Sequence, residues 1–177
     1  MIPMQIVIPD EWRHLYASSH TPTILKIPDP KLRQKSVPIT RVTRRVDLLA
    51  ADMIRIMTRA NGVGLAAPQL GFHQRVVVIA PEDLRPTALI NPVIVSSEGE
   101  QIGQEGCLSI PGLYGDVTRA EKVEIHALDR RGRELIFELE GMPARVALHE
   151  IDHLDGILFT DRADPATLHW HDPEETT

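Results

Sequence analysis

The stretch "ALHEIDHLDG", residues 147–156, places two histidines four positions apart, with a glutamate directly after the first. On an α-helix, residues three, four and seven apart share a face, so Val146, His149, Glu150 and His153 lie together. The apolar residues between them point elsewhere, which is typical of a central helix. Burying imidazoles and a carboxylate costs several kcal/mol unless these groups are paired or bound to a metal. The stretch therefore predicts a central, metal-binding helix.

The same spacing leaves two other interpretations open. A surface helix can carry solvated histidines at this spacing by chance. The pattern H-E-x-x-H is also the helix of zinc proteases, in which the glutamate is the general base. Their longer pattern would place a third histidine at Phe159, and no methionine follows Met142. The only downstream glutamates, Glu174 and Glu175, lie at the very end of the chain. A third metal ligand is therefore expected from upstream.

Patterns on either side of this helix predict the fold class. Pro143 fits the first turn of the helix and Gly156 fits its end. Apolar periodicity predicts four further elements, which are a helix at 43–60, strands at 75–80 and 88–95, and a hairpin of 122–129 with 133–141. The expected fold is α+β, a single domain of short, mostly antiparallel strands around the central metal-binding helix.

The expected catalytic domain spans residues 23–164, and the chain of 177 residues is long enough for one well-packed domain. Residues 24–40 carry three prolines and are expected to be irregular. Residues 1–22 are an N-terminal extension of unclear role that ends in the turn-prone "SSHTP" at 18–22. Residues 165–177 form a polar C-terminal tail that is expected to fray.

Composition and charge exclude several classes of protein. A net charge of −6 argues against a nucleic-acid binder that uses a broad basic surface. The single cysteine excludes an intrachain disulfide framework, and no apolar run approaches the ~20 residues that span a bilayer. The N-terminus lacks the basic start of a signal peptide. A cytoplasmic location is expected.

Two glycine-flanked segments upstream can complete the site. "QEGCLSIPG" (104–112) carries Cys107, whose thiolate would suit a divalent transition metal, although a buried free cysteine is the simpler interpretation. "NGVGLAAPQLG" (61–71) would let its backbone approach a ligand, and Gln69 could donate a hydrogen bond to it. A tight turn with an incidental glutamine explains that segment equally well.

Taken together, "GVGLAAPQ", "EGCLS" and "HEIDHLDG" resemble, in order and separation, the three signature motifs of the peptide deformylases. The resemblance covers about residues 24–164 and includes "ILKIPDPKLRQKSVPI" near the start. It implies metal-dependent hydrolysis of the formyl group from the N-terminal formylmethionine of new polypeptides. A metal-dependent endopeptidase and a non-catalytic binding protein remain the alternatives.

The resemblance also implies roles for individual residues. It assigns the metal ligands to Cys107, His149 and His153, with water in the fourth position, and the catalytic acid and base to Glu150. The groups that stabilise the carbonyl oxygen fall on the Gln69 side-chain amide and the Leu108 N–H. The implied metal is Fe²⁺ in the cell, with Zn²⁺, Ni²⁺ or Co²⁺ in purified protein. This chain departs from the family at Leu148, where members commonly carry glutamine, and at Arg145, where a less polar residue is expected.

The substrate is expected to lie extended along the backbone of Val63 and Gly64 and the strand edge near Gly106. Val63, Met142 and Val146 are the candidates for an apolar pocket around the methionine side chain. The expected partners are a formylmethionyl peptide and, transiently, the ribosome, with no direct contact to nucleic acid or membrane. A monomer is expected.

Overall fold

Two antiparallel sheets form the framework of the protein in a computed structural model, which describes residues 2–17 and 23–173. The five-stranded sheet has the order β1-β2-β3-β6-β7 and the three-stranded sheet the order β4-β5-β8. The strands are β1 Gly64–Ala66, β2 Val76–Ile79, β3 Thr87–Glu98, β4 Gln101–Cys107, β5 Ile110–Arg119, β6 Lys122–Leu128, β7 Glu134–Glu140 and β8 His169–Trp170. The predicted α+β class, with mostly antiparallel strands in one domain, is confirmed.

Helix α1, Arg44–Arg59, covers one face of the five-stranded sheet. It begins where the Thr43 side chain accepts a hydrogen bond from the Val46 N–H, a typical N-terminal cap. The side chains of β2 alternate between the two faces of the sheet. Val76 and Val78 pack with α1 on one face. The other two residues of β2 pack on the opposite face. The helix predicted at 43–60 is therefore confirmed.

Helix α2, Met142–Leu154, lies between the two sheets. Its apolar side, which includes Ala147, Ile151 and Leu154, packs on the five-stranded sheet. Its other side carries Arg145 and Asp152, whose ion pairs reach β4 and β5 of the second sheet. The helix is buried on both sides for this reason, and the predicted central position is confirmed. Leu148 packs with the apolar side and is partly buried there.

The pairing of β4 with β5 is interrupted beside the end of β4. Glu105 pairs with Gly115 and Cys107 pairs with Ile110, so one residue of β4, Gly106, faces residues 111–114 of β5. Such irregularities redirect side chains and open a sheet locally. A side chain at position 106 would overlap the Tyr114 ring, because a Cβ there would lie 2.7 Å from a ring carbon. The interruption leaves room for the cavity described below.

The two ends of the chain pack on β5. A 3-10 helix, Asp10–Tyr16, precedes the domain, and β8 pairs with β5 through Leu113 with Trp170 and Tyr114 with His169. The prediction of a frayed tail is therefore wrong for residues 165–173. The turn predicted at 18–22 and the last four residues lie outside the described residues, and the division of the chain at 22 and 164 stays a prediction. Within 2–17 and 23–173, no helix has the length and apolarity needed to cross a bilayer.

Candidate metal centre and active-site cavity

Cys107, His149 and His153 bring three metal-ligating atoms together, all within 4.8 Å of one another. Cys107 is the last residue of β4, and the histidines lie one turn apart on α2. The Cys107 Sγ is 3.4 Å from the His153 Nε2, and the two imidazole rings meet edge to face with their centres 5.1 Å apart. The two imidazoles of α2 and the thiol of the upstream cysteine thus lie side by side, as expected from the sequence.

The chemistry of these donors fits a divalent transition metal. A thiolate and two imidazoles are typical ligands of zinc and of ferrous iron. The His149 Nδ1 donates a hydrogen bond to the Glu105 carboxylate at 2.8 Å, which leaves Nε2 as the nitrogen available to a metal. His153 is only 1% exposed, so a charged imidazolium there would be costly. Burial lowers the pKa of His153 well below its ordinary value, and neutral imidazole is the form that binds metal.

Glu105 is the residue around which the second layer of the site is built. Its carboxylate accepts two hydrogen bonds from Arg119, at 2.7 and 2.9 Å, and one from Arg145 at 2.7 Å, besides that from His149. Burial alone would raise the pKa of Glu105, but the hydrogen bonds from Arg119 and His149 outweigh it and hold the pKa below its ordinary range. The carboxylate is therefore ionised and fixes the tautomer and orientation of the His149 ring.

Glu105 begins the motif "EGCLS", and the sequence alone assigns it no role. The sequence does contain a signal for such a role. A carboxylate two residues before a candidate metal ligand is well placed to orient another ligand. Arg145 was expected to be a less polar residue. Its buried guanidinium also donates to the Val117 carbonyl at 2.9 Å and the Gly103 carbonyl at 3.3 Å, so it joins α2 to β4 and β5.

Asp152 extends this network of charges on α2. It accepts hydrogen bonds from Arg119 at 2.6 Å and from Arg162 at 2.6 and 2.8 Å. Arg119 therefore bridges the carboxylates of Glu105 and Asp152. Because Glu105 lies on β4, Arg119 on β5, and both Arg145 and Asp152 on α2, the network fixes the strand that carries Cys107 relative to the helix that carries the histidines.

We expect Glu105→Gln to weaken metal binding by about 10- to 100-fold, the usual effect of losing a carboxylate that orients a histidine ligand. The amide cannot hold His149 and two arginines as an ionised carboxylate does. The metal Kd, measured by competition with a chelator, tests this. The matched control is Glu138→Gln, an exposed residue on β7, which should leave the Kd unchanged. An unaltered Kd in the Glu105 variant would contradict the assignment.

Glu150 lies beside the metal-ligating cluster, with its carboxylate packed against the backbone of β1. It is buried, and its Oε2 has no hydrogen-bond partner among the described residues. Burial raises the pKa of Glu150 to about 7, with nearby His149 acting in the opposite direction. A cation bound next to it would favour the ionised form and lower that pKa. A carboxyl group poised in this way suits a proton-transfer role.

Gly64 makes the room that the Glu150 carboxylate occupies. A Cβ at position 64 would overlap the Glu150 side chain, including its Oε1. We expect Gly64→Ala to displace the carboxylate and to lower kcat/KM by about 100-fold, the typical cost of misplacing a reacting group by about 1 Å. Metal content should stay the same, because the atoms nearest to a Cβ at position 64 belong to Glu150 and not to the three candidate ligands. Full activity in the variant would mean that the position of Glu150 is not critical.

Gln69 presents its amide nitrogen to the same cluster. Its Oε1 accepts a hydrogen bond from the Ala66 N–H at 2.9 Å, which fixes the direction of the amide. Its Nε2 donates to the Ser109 Oγ at 3.0 Å and lies 3.7 Å from the Cys107 Sγ. The sequence alone gave no role to Ser109. Leu108 is the first of the two turn residues between β4 and β5, which are paired through Cys107 and Ile110. The hydrogen bond of such a turn joins the flanking residues, so the N–H of Leu108 is not used by it.

A cavity of about 650 Å³ opens onto this cluster. Nearly all the residues predicted for the site line it: Val63, Gly64, Gln69, Gly106, Cys107, Leu108, Met142, Val146, His149 and Glu150. His153 is the exception, since it lies deeper in the core. The structure thus collects the predicted residues around one cavity, while their individual roles stay predictions. Leu15 and Pro173 also line the cavity, and sequence reasoning found neither.

The site does not have the ligand arrangement of the protease alternative. Phe159 stands where a third histidine would be, and its ring stacks on His149 with centres 6.2 Å apart. The third ligand available is the sulfur of Cys107. Glu174 and Glu175 lie outside the described residues.

Comparison with known proteins identifies the family. The family model described as polypeptide deformylase matches residues 21–169. The peptide deformylase of Alkalilimnicola ehrlichii is 53% identical over 141 residues, which cover 78% of this chain and 79% of the relative. That of Desulfitobacterium hafniense is 50% identical over 140 residues, which cover 79% of this chain and 93% of the relative.

Solved structures agree with this match. The crystal structure of peptide deformylase from Thermotoga maritima superposes with a TM-score of 0.78 at 38% identity, covering 80% of this chain and 97% of that one. The deformylase from Synechococcus elongatus, crystallised in complex with actinonin, gives a TM-score of 0.76 at 41% identity and covers 80% and 78%. The endopeptidase alternative finds no support among these proteins. On this evidence from both sequence and structure, the chain belongs to the peptide deformylase family.

Proposed function

We propose that this chain hydrolyses the N-terminal formyl group of formylmethionine on newly made polypeptides and releases formate. We also propose that its metal is held by Cys107, His149 and His153. The single observation that carries the proposal is that these three donors lie together at the edge of a cavity that Glu150 and Gln69 also line. A site with a purely structural metal would need neither the buried carboxylate nor the oriented amide.

The metal we propose is Fe²⁺ in the cell, with Zn²⁺, Ni²⁺ or Co²⁺ able to replace it in purified protein. The mixed sulfur and nitrogen donors support a transition metal over Mg²⁺ or Ca²⁺, which prefer oxygen. With two neutral imidazoles and one thiolate as ligands, a divalent ion keeps a net charge of about +1, which acidifies a bound water and polarises a carbonyl.

Glu150 is the proposed acid and base. Its ionised carboxylate takes a proton from the attacking water as the water oxygen bonds to the formyl carbon. It then gives that proton to the amine nitrogen as the carbon–nitrogen bond breaks, which frees the α-amino group and formate. The absence of a partner for its Oε2 among the described residues supports this role, because that oxygen remains available to the water.

The Gln69 amide and the Leu108 N–H are the proposed donors to the oxygen that becomes negative during attack. Gln69 is held from both ends, by Ala66 and by Ser109, so it is organised before substrate binds. Preorganised donors stabilise a developing oxyanion more than water does, and losing one typically costs about 10²- to 10³-fold in rate.

The substrate peptide is proposed to lie extended along Val63 and Gly64 and the strand edge at Gly106. Val63 and Met142 are 53% and 59% exposed at the cavity, so apolar surface is available there for the methionine side chain. Val146 is buried beside them and would form the base of that pocket. A narrow site around the reacting carbon, which would admit the hydrogen of formyl but clash with a methyl group, would favour formyl over acetyl by steric exclusion.

The remaining expectations concern the setting of the reaction. Because the substrate is a polypeptide still emerging from synthesis, we propose that the enzyme acts in the cytoplasm and contacts the ribosome transiently. We propose a monomer without a direct nucleic-acid site, which the net charge of −6 favours.

Release of formate from a formylmethionyl tripeptide by iron-loaded protein tests the proposal. The acetylated tripeptide is the matched control and should not be hydrolysed. Zinc-loaded protein should be active at a lower rate. Cleavage of an internal peptide bond without formate release would overturn the proposal, and so would equal hydrolysis of the formyl and acetyl peptides.

A further inference from the structure

One wall of the active-site cavity is built by the two terminal segments of the chain. Leu15 and Pro173 line the cavity together with Cys107 and His149. Both lie outside residues 21–169, which the deformylase family model matches. This part of the site therefore belongs to this chain and cannot be assigned from the family motifs.

The N-terminal segment is fixed at the start of β5. Leu15 is 8% exposed and packs so closely on Gly112 that a Cβ there would lie 3.0 Å from the Leu15 Cδ1. Gly112 also has a φ of +86°, a conformation that favours glycine. The Tyr16 hydroxyl donates a hydrogen bond to the Pro111 carbonyl at 3.0 Å. Two successive residues thus anchor the segment to the stretch of β5 that borders the cavity.

The C-terminal segment holds the N-terminal one in place. Trp170 pairs with Leu113 in the sheet, and the next residue, His171, donates its N–H to the Gly112 carbonyl at 2.8 Å. Trp170 stacks on Trp12, with ring centres 6.3 Å apart and planes 16° apart. The two terminal segments are therefore joined to each other as well as to β5, and Leu15 and the Trp170 ring both pack beside Gly112.

We propose that Leu15, positioned by the stacked pair Trp12 and Trp170, contacts the substrate residues that follow formylmethionine and determines specificity there. The inference rests on the proposed function. Leu15 lines the cavity on the side formed by β5. The candidates for the methionine pocket lie in the segment before β1 and in α2. The surface that Leu15 offers is apolar, so it fits peptides with apolar residues at the third and fourth positions.

Steady-state kinetics with a series of peptides tests this role. The substrates are formyl-Met-Ala, formyl-Met-Ala-Leu and formyl-Met-Ala-Leu-Leu, each assayed with the full chain. We expect Leu15→Ala to raise KM for the two longer peptides by about five- to tenfold, the effect of losing one apolar side-chain contact, with kcat nearly unchanged. For formyl-Met-Ala, KM should change by less than about twofold.

Trp12→Ala should have the same effect as Leu15→Ala, because it removes the support of the segment. Arg13→Ala is the matched control from the same 3-10 helix, since its side chain is largely exposed and, within residues 2–17 and 23–173, forms an ion pair with exposed Asp10 alone. The control should leave every KM unchanged. Equal changes for all three peptides, or none, would overturn the proposal. A rise in kcat/KM for all of them would overturn it too, because the segment would then obstruct the cavity.

A spectroscopic measurement on the unaltered protein decides the matter if a variant does not fold. The chain has two tryptophans, and both belong to the stacked pair, so intrinsic fluorescence reports on this wall alone. We expect the product peptide Met-Ala-Leu-Leu to shift the emission in a saturable manner. Unchanged emission at a concentration that inhibits deformylation by more than about nine-tenths would overturn the proposal. Failure of the unaltered protein to release formate from any peptide would instead refute the proposed function.

Discussion

Glu150→Ala is expected to abolish turnover while the metal stays bound. Glu150 is not one of the three ligands, but it is the only carboxylate among the described residues that lines the cavity without being held by an ion pair. In the proposed mechanism it carries the proton in both the attack of water and the departure of the amine. General acid–base catalysis contributes about 10²- to 10⁴-fold, and with two steps affected we expect kcat/KM to fall by at least about 10³-fold.

Formate release and metal content are measured on the same preparation to test this. Glu134→Ala, an exposed residue on β7, is the matched control and should keep full activity. Retained activity in the Glu150 variant would remove this residue as the acid and base. Loss of the metal together with activity would show instead that Glu150 contributes to the metal site itself.

Cys107→Ser is expected to have the second large effect, a fall in metal affinity of more than about 100-fold. A serine hydroxyl is nearly the same size as the thiol but stays protonated near neutral pH and is a poor ligand for a transition metal. Losing a ligand should exceed the 10- to 100-fold effect typical of residues that only orient one. The variant should fold, because Cys107 is partly exposed and the change is small.

Chelator competition measures the affinity, and the single cysteine supplies an internal check. In metal-loaded unaltered protein the thiol should be protected from a thiol reagent, and removal of the metal should make it reactive. Unchanged metal content in Cys107→Ser, or a thiol that reacts equally with and without metal, would show that Cys107 is not a ligand.

The sequence correctly predicts the elements in which apolar residues recur at a regular spacing without interruption. Helix α1 and the β6–β7 hairpin show clear apolar patterns, and Pro143 sits at the start of α2 as its geometry requires. Strand β5 was missed because Pro111 and two glycines interrupt its pattern. The register of β4 with β5 is irregular at this same stretch, so a strand without a clear sequence pattern helps to shape the site.

The candidate site was predictable where its residues are close in sequence. His149 and His153 share a helix face, so their spacing alone brings them together. Cys107 comes from another element, and only the ordered motifs of the family connect it with them. The bridge from Glu105 to Arg119 could not be predicted, because it depends on the exact pairing of β4 with β5. The wall that includes Leu15 depends on contacts between opposite ends of the chain.

X-ray absorption at the metal edge of zinc-loaded protein tests the ligand set most directly. Cys107, His149 and His153 should contribute one sulfur at about 2.3 Å and two imidazole nitrogens at about 2.0–2.1 Å, with a light oxygen or nitrogen atom as the fourth neighbour. The sulfur signal should disappear in Cys107→Ser. A spectrum of the unaltered protein with only nitrogen and oxygen neighbours would contradict the account.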